Sequence, residues 1–153
     1  MPSFTFPPDR SLSHLEELGP LLPVTITVPV RLKKYLEAHG FEAHPSRHGY
    51  ALIDTGAALS AVDDRVMQEL EIPILEQMDT TTPHGPGSSN VYNASASFAP
   101  IGKLDVTLEG VLGCYLGERQ EGEPEIIMLL GRDLLRNLVV LYDGPNARVT
   151  VTS

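Results

Sequence analysis

Proline and glycine interrupt this chain too often to leave room for long helices: thirteen of each are spread along 153 residues rather than massed in one tract. They cut the sequence into short segments. With 6% aromatic residues and no tryptophan, that punctuation favours a turn-rich, mainly β architecture over a helical bundle. The length and a hydrophobic content of 42% suit one compact domain and fall short of two.

Residues 1–22 are Pro-containing and mixed, and are expected to form an N-terminal arm with a short helix over 13–18, ended by Gly19 and Pro20. The domain proper is expected over 23–153. Residues 23–30 alternate apolar and polar side chains, the signature of a half-buried strand, and Pro23 and Pro29 place that strand near a sheet edge. Residues 33–49 show little periodicity and read as an insertion or long hairpin. A strand over 50–53 is broken by Asp54, Thr55 and Gly56, and extended structure resumes over 57–62. Asp63 then caps a short helix with Val66, Met67 and Leu70 on one face, stopped by Pro73. The turn formers over 80–90 predict an exposed loop or hairpin tip. Strands are expected over 92–101 and 103–116, followed by an acidic connection over 117–124. Residues 126–130 are continuously apolar, as in a strand buried on both faces. Gly131, Arg132 and Asp133 end that strand. Leu134, Leu135 and Leu138 fit a short helix, and strands over 139–142 and 147–152 flank a turn at Asp143-Gly144.

A net charge of −9 argues against a nucleic-acid partner, whose binding rests on clustered Lys and Arg. Cys114 is the single cysteine, so no intramolecular disulfide forms, which fits a reducing compartment; the residue reads as a small buried hydrophobe. Neither a signal-peptide pattern nor an apolar run of membrane-spanning length is present. The expectation is a cytoplasmic protein with no membrane partner. His39, His44 and His48 invite a metal reading, but Pro45 and Gly49 spoil a helical ligand face and no acidic ligand stands at a recognised spacing. No metal or other cofactor is expected.

Two elements remain. Ala51-Leu52-Ile53 leads into Asp54-Thr55-Gly56-Ala57, with Ser60 four residues beyond Gly56; much later, Ile126-Ile127-Met128-Leu129-Leu130 leads into Gly131-Arg132-Asp133. Together, and in this order, they resemble the retropepsins, the retroviral and retroviral-like aspartic proteases. The resemblance covers about residues 23–152. It implies a retropepsin-like acid-protease fold: a mainly β, single-lobe, closed barrel-like domain with one or two short helices, active as a two-fold homodimer. Only one Asp-Thr-Gly is present, whereas bilobal pepsin-like enzymes carry two. Asp54 is therefore expected to be half of a catalytic pair, completed by Asp54 of a second copy.

The resemblance further implies an endopeptidase acting on a peptide or protein substrate. Two carboxylates about 3 Å apart at an effective dielectric of about 20 repel by several kcal/mol if both are ionised, and in such proteases the pair holds one proton between them. Thr55 resembles the residue whose hydroxyl links the two copies, and Gly56 admits close backbone approach. Ala57 lines the pocket, and Ser60 supports the loop through a side-chain hydrogen bond. Arg132 resembles the arginine that braces loop and dimer. By position, the segment around His84, Gly85, Pro86 and Gly87 is the flap, although Pro83 and Pro86 depart from the Gly-dominated viral flap. Ala58 and Leu59 also depart from viral members, which carry acidic residues there. These departures leave an alternative open: a catalytically weak or inactive dimerisation or peptide-binding module of the same fold.

Overall fold

The computed structural model describes residues 1–8, 12–41, 46–82, 84–118 and 120–153. Along them run β1 (Ser3–Phe6), α1 (Leu12–Leu18), β2 (Leu21–Thr27), α2 (Val30–Ala38), β3 (Arg47–Ile53), β4 (Ala61–Asp63), α3 (Asp64–Glu69), β5 (Glu76–Thr82) and β6 (Gly85–Phe98). A 3-10 turn (Ala99–Ile101) leads to β7 (Lys103–Cys114), β8 (Ile126–Leu130), α4 (Arg132–Leu135), β9 (Val139–Asp143) and β10 (Arg148–Thr152).

Six strands close a barrel in the order β2-β3-β8-β4-β7-β6, because β6 pairs back onto β2 through Thr25↔Ser97 to Thr27↔Ser95. Period-two patterning fills it: Leu22, Val24 and Ile26 of β2 are buried, with the residues between them half-buried. The apolar run of β8 pairs with β3 along one edge and β4 along the other, and its adjacent Ile127 and Met128, which point to opposite sides, are both buried, as expected of a strand covered on both faces. Val62, Tyr92, Ala94, Ile127, Met128 and Leu130 complete the centre. Closure removes the edge that the prolines of residues 23–30 suggested for β2. Pro23 is tolerated because pairing with β6 starts only at Thr25, so its missing N–H costs no ladder bond on that side.

Three expectations change in outline. Residues 30–38 are helical, where a strand end and an irregular insertion were expected. Val30 to Ala38 contains neither Gly nor Pro, and its end is closed by a Schellman arrangement: Gly40 at φ +75, Gly40 N–H on Glu37 C=O at 3.2 Å, Phe41 N–H on Leu36 C=O at 2.9 Å. The arm does not stand apart either. β1 pairs with β10 in a second sheet of order β1-β10-β9, Phe6 and Leu15 are buried, and β2 begins at Leu21. The strand expected over 57–62 is confined to β4, because residues 54–60 form the loop described next. Among the described residues no helix is long and apolar enough to cross a membrane.

Candidate active site

β3 delivers Asp54 to a junction of two loops. The Asp54 N–H donates to Leu130 C=O at 3.0 Å, the Arg132 N–H to Ala57 C=O at 2.9 Å, and the Asp133 N–H to Ala58 C=O at 3.2 Å. Three main-chain bonds thus fix the loop after β3 against the loop after β8, the two segments whose spelling stood out in the sequence. Within its own loop, Asp54 Oδ1 accepts the N–H groups of Gly56 at 2.9 Å and Ala57 at 3.2 Å. Both donors hold the carboxylate in one orientation, and among the described residues Oδ2 has no protein donor. A Cβ on Gly56 would stand 3.1 Å from Oδ1, so glycine keeps that approach open. Asp54 and Ala57 are half-buried, while Thr55, Gly56 and Ala58 are exposed. Arg132 reaches across to donate from Nη1 to Thr55 C=O at 2.7 Å.

Beneath this loop lies a polar knot. The buried Ser60 hydroxyl donates to Asp133 Oδ1 at 2.7 Å and accepts the Gly131 N–H at 2.9 Å. The same Oδ1 accepts the N–H groups of Ser60 at 3.0 Å and Leu134 at 2.9 Å. Gly131 is glycine for steric reasons: a Cβ would lie 2.6 Å from the Leu59 carbonyl carbon. Asp133 is the residue whose part in the site was not foreseen. Expected to help end the apolar strand, it is the acceptor on which both loops converge; the triplet Gly131-Arg132-Asp133 carried the signal, but its partner at Ser60 could not be read from spacing.

The remaining candidates lie elsewhere. β5 and β6 form a hairpin from Glu76↔Val91 to Thr82↔Gly85, with Pro86 opposite Thr81 and Gly87 opposite Thr80. β5 is the outermost strand of its sheet, so this hairpin projects as an edge, with His84, Pro86 and Gly87 exposed. Pro83 and His44 fall outside the described residues. His39 and His48 are not brought together: His39 Nδ1 bonds Tyr35 C=O at 2.8 Å, and His48 Nδ1 pairs with Thr25 Oγ1 at 2.8 Å. Among the described residues no cluster of three or more His, Cys, Asp or Glu could hold a metal ion.

The root of the hairpin is tied to α3. Tyr92 donates its hydroxyl to Asp64 Oδ1 at 2.6 Å, joined by Asn90 Nδ2 at 3.2 Å. Burial, then the bond to Asp64, pushes the Tyr92 phenol up to about 12. Beside it, burial opposes ionisation of Asp63, but hydrogen bonds from Arg65 and the Leu116 N–H outweigh it and hold the carboxyl below its ordinary value. Burial likewise pushes the Cys114 thiol up to about 12, which favours the thiol over the thiolate.

No family model matches the chain, and no curated protein matches it. Among solved structures, the chain is similar to the solution structure of Simian Foamy Virus (mac) protease, at 20% identity and a TM-score of 0.41, over 76% of this chain and 91% of that one.

Proposed function

We propose that this chain is one subunit of an aspartic endopeptidase whose active site forms when Asp54 of two copies meet across a two-fold axis. The observation that carries the reading is the posture of Asp54: one oxygen held by two amides, the other without a protein donor among the described residues, on a loop braced by residues 131–133. Such a carboxylate is preorganised to work on a water molecule rather than to close a salt bridge. In the pair, the ionised carboxylate takes a proton from water as its oxygen attacks the peptide carbonyl carbon. The protonated carboxyl gives its proton to the carbonyl oxygen. When the resulting gem-diol collapses, the C–N bond breaks, the amine leaves with a proton and the pair returns to its starting state. No metal or covalent nucleophile takes part. The β5–β6 hairpin serves as the flap that closes over an extended peptide.

The second copy is assigned to β9. This strand is one of the two outer members of its sheet, with β1 at the other side, it follows α4 and the Arg132 loop, and it exposes Val139 at 65% and Leu141 at 58%. An unpaired apolar edge of this kind invites strand pairing. Exposed Ala58 and Leu59 offer no carboxylates to the peptide backbone, which favours apolar subsites and keeps a second reading in view, capture of peptide without turnover. A peptide library incubated with the purified protein between about pH 3 and 7 decides. The proposal expects cleavage by the wild type, and a loss of about 10³-fold or more in Asp54→Asn. Binding without cleavage supports the second reading, and equal cleavage by both proteins overturns the role of Asp54.

A further inference from the structure

Helix α2 has no counterpart in the machinery above. It contains no buried residue, and it begins where Val30 N–H meets Ser95 Oγ at 3.2 Å. Its sequence is amphipathic. Leu32, Tyr35 and Leu36 recur at helical spacing on one face, and the Schellman closure sets Phe41 beyond Leu36. Tyr35 is 58% and Phe41 62% exposed, and with the exposed Leu32 they form a neighbouring group rather than scattered single side chains. Arg31 and Lys33 flank this face, and Lys34 follows. Three of the chain's eleven Lys and Arg therefore sit within four residues, and none of the three has a carboxylate partner among the described residues. In a protein of net charge −9, this is the densest positive run.

We propose that α2 is a peripheral docking helix for an anionic lipid surface, with Leu32, Tyr35, Leu36 and Phe41 seated at the acyl boundary and Arg31, Lys33 and Lys34 among the headgroups. Basic residues bordering an exposed apolar stripe that carries aromatic rings are the arrangement that holds a short helix in the interface plane. Spanning is not involved. The rest of the molecule suits this placement: α2 starts three residues past β2, whose end pairs with Arg47 at the start of β3, whereas Asp54 follows the other end of β3, a strand about 20 Å long. A docked protein keeps its candidate active site in the aqueous phase. The negative remainder of the chain is repelled by the same surface, which orients the molecule through α2 alone.

The test is co-sedimentation of the full chain with vesicles of phosphatidylcholine alone or with about one-third phosphatidylserine, at neutral pH. The expected result is binding to the anionic vesicles only, released at about 0.5 M salt. Lys33→Glu with Lys34→Glu is expected to weaken that binding about 30-fold or more, whereas Lys33→Arg with Lys34→Arg retains it. Tyr35→Ser with Phe41→Ser weakens it at unchanged charge, which separates seating of the aromatic face from simple attraction. Asp54→Asn binds like the wild type, so failure of docking and failure of proteolysis are read separately. Absence of binding to both vesicle types by folded protein overturns the proposal, as does equal binding to both that ignores the charge reversal. If Tyr35→Ser with Phe41→Ser instead changes the particle mass in solution and no vesicle binding occurs, the face belongs to a protein contact and the proposal fails.

Discussion

At Ser60 one hydroxyl serves two loops, giving its proton to Asp133 and taking the N–H of Gly131. Ser60→Ala leaves a buried N–H without its acceptor and removes a donor from Asp133. Denaturant unfolding is predicted to show a loss of about 1–3 kcal/mol, with Ser60→Thr, which keeps the hydroxyl, losing less. Gly131→Ala forces a Cβ against Leu59 backbone at 2.6 Å, so the two loops must part. It is predicted to lower both the melting temperature and any peptidase activity, and a Gly131→Ala variant that is fully stable and active would contradict the packing. Asp54 stood out less by Asp-Thr-Gly alone, since Asp and Gly close strands everywhere, than by the later apolar run into Gly131-Arg132-Asp133, and the fold joins those two loops. The Ser60–Asp133 bond was only half legible: Ser60 was expected to bond, but no local pattern names an acceptor 73 residues away.

Strand and helix ends carry the next level. Asp63 is the N-cap of α3, accepting from Arg65 N–H at 2.9 Å, and it also binds the Arg65 side chain and the Leu116 N–H beyond β7. Its folded-state value lies below the ordinary 3.8, so its contribution is present above that pH and is lost as pH falls through the lower folded value. Asp63→Asn is predicted to be less stable than wild type at neutral pH, with the deficit shrinking below pH 3.8. Tyr92 behaves oppositely. A phenol raised from 10 to about 12 adds stability below pH 10 that is lost as pH rises through the folded value, and Tyr92→Phe is predicted to remove that alkaline loss from a titration of unfolding. The cap at Asp63 was readable because capping chemistry is local. Helix α2 is equally local, with Gly40 as its stop signal, but the histidines and Pro45 that follow break the period over 33–49 and hide nine residues free of breakers. Edge or interior status of β2 could not be read, because it depends on β6 returning from some seventy residues away (Thr25↔Ser97).

Across the whole molecule, three described strands keep an outer edge: β5 in the hairpin, and β1 and β9 at the two sides of the smaller sheet, with β9 beside α4. A charge at Leu141, as in Leu141→Asp, is predicted to reduce the mass measured by sedimentation without unfolding the barrel, since the side chain is exposed. Composition foretold a turn-rich β domain. The expectation of two copies came instead from the resemblance and the single Asp-Thr-Gly, because a contact between chains leaves no pattern in composition. The proposed active site needs Asp54 from two copies, and mixing subunits distinguishes this from a site within one chain. Wild-type protein at fixed concentration is allowed to exchange with an about tenfold excess of Asp54→Asn, and hydrolysis of a cleavable peptide is followed. If two Asp54 residues make one site, most wild-type subunits become trapped in mixed pairs and activity falls to about a tenth. Activity that is unchanged by the excess, with exchange verified by mass, would show a single chain working alone and rule out a site shared between two copies.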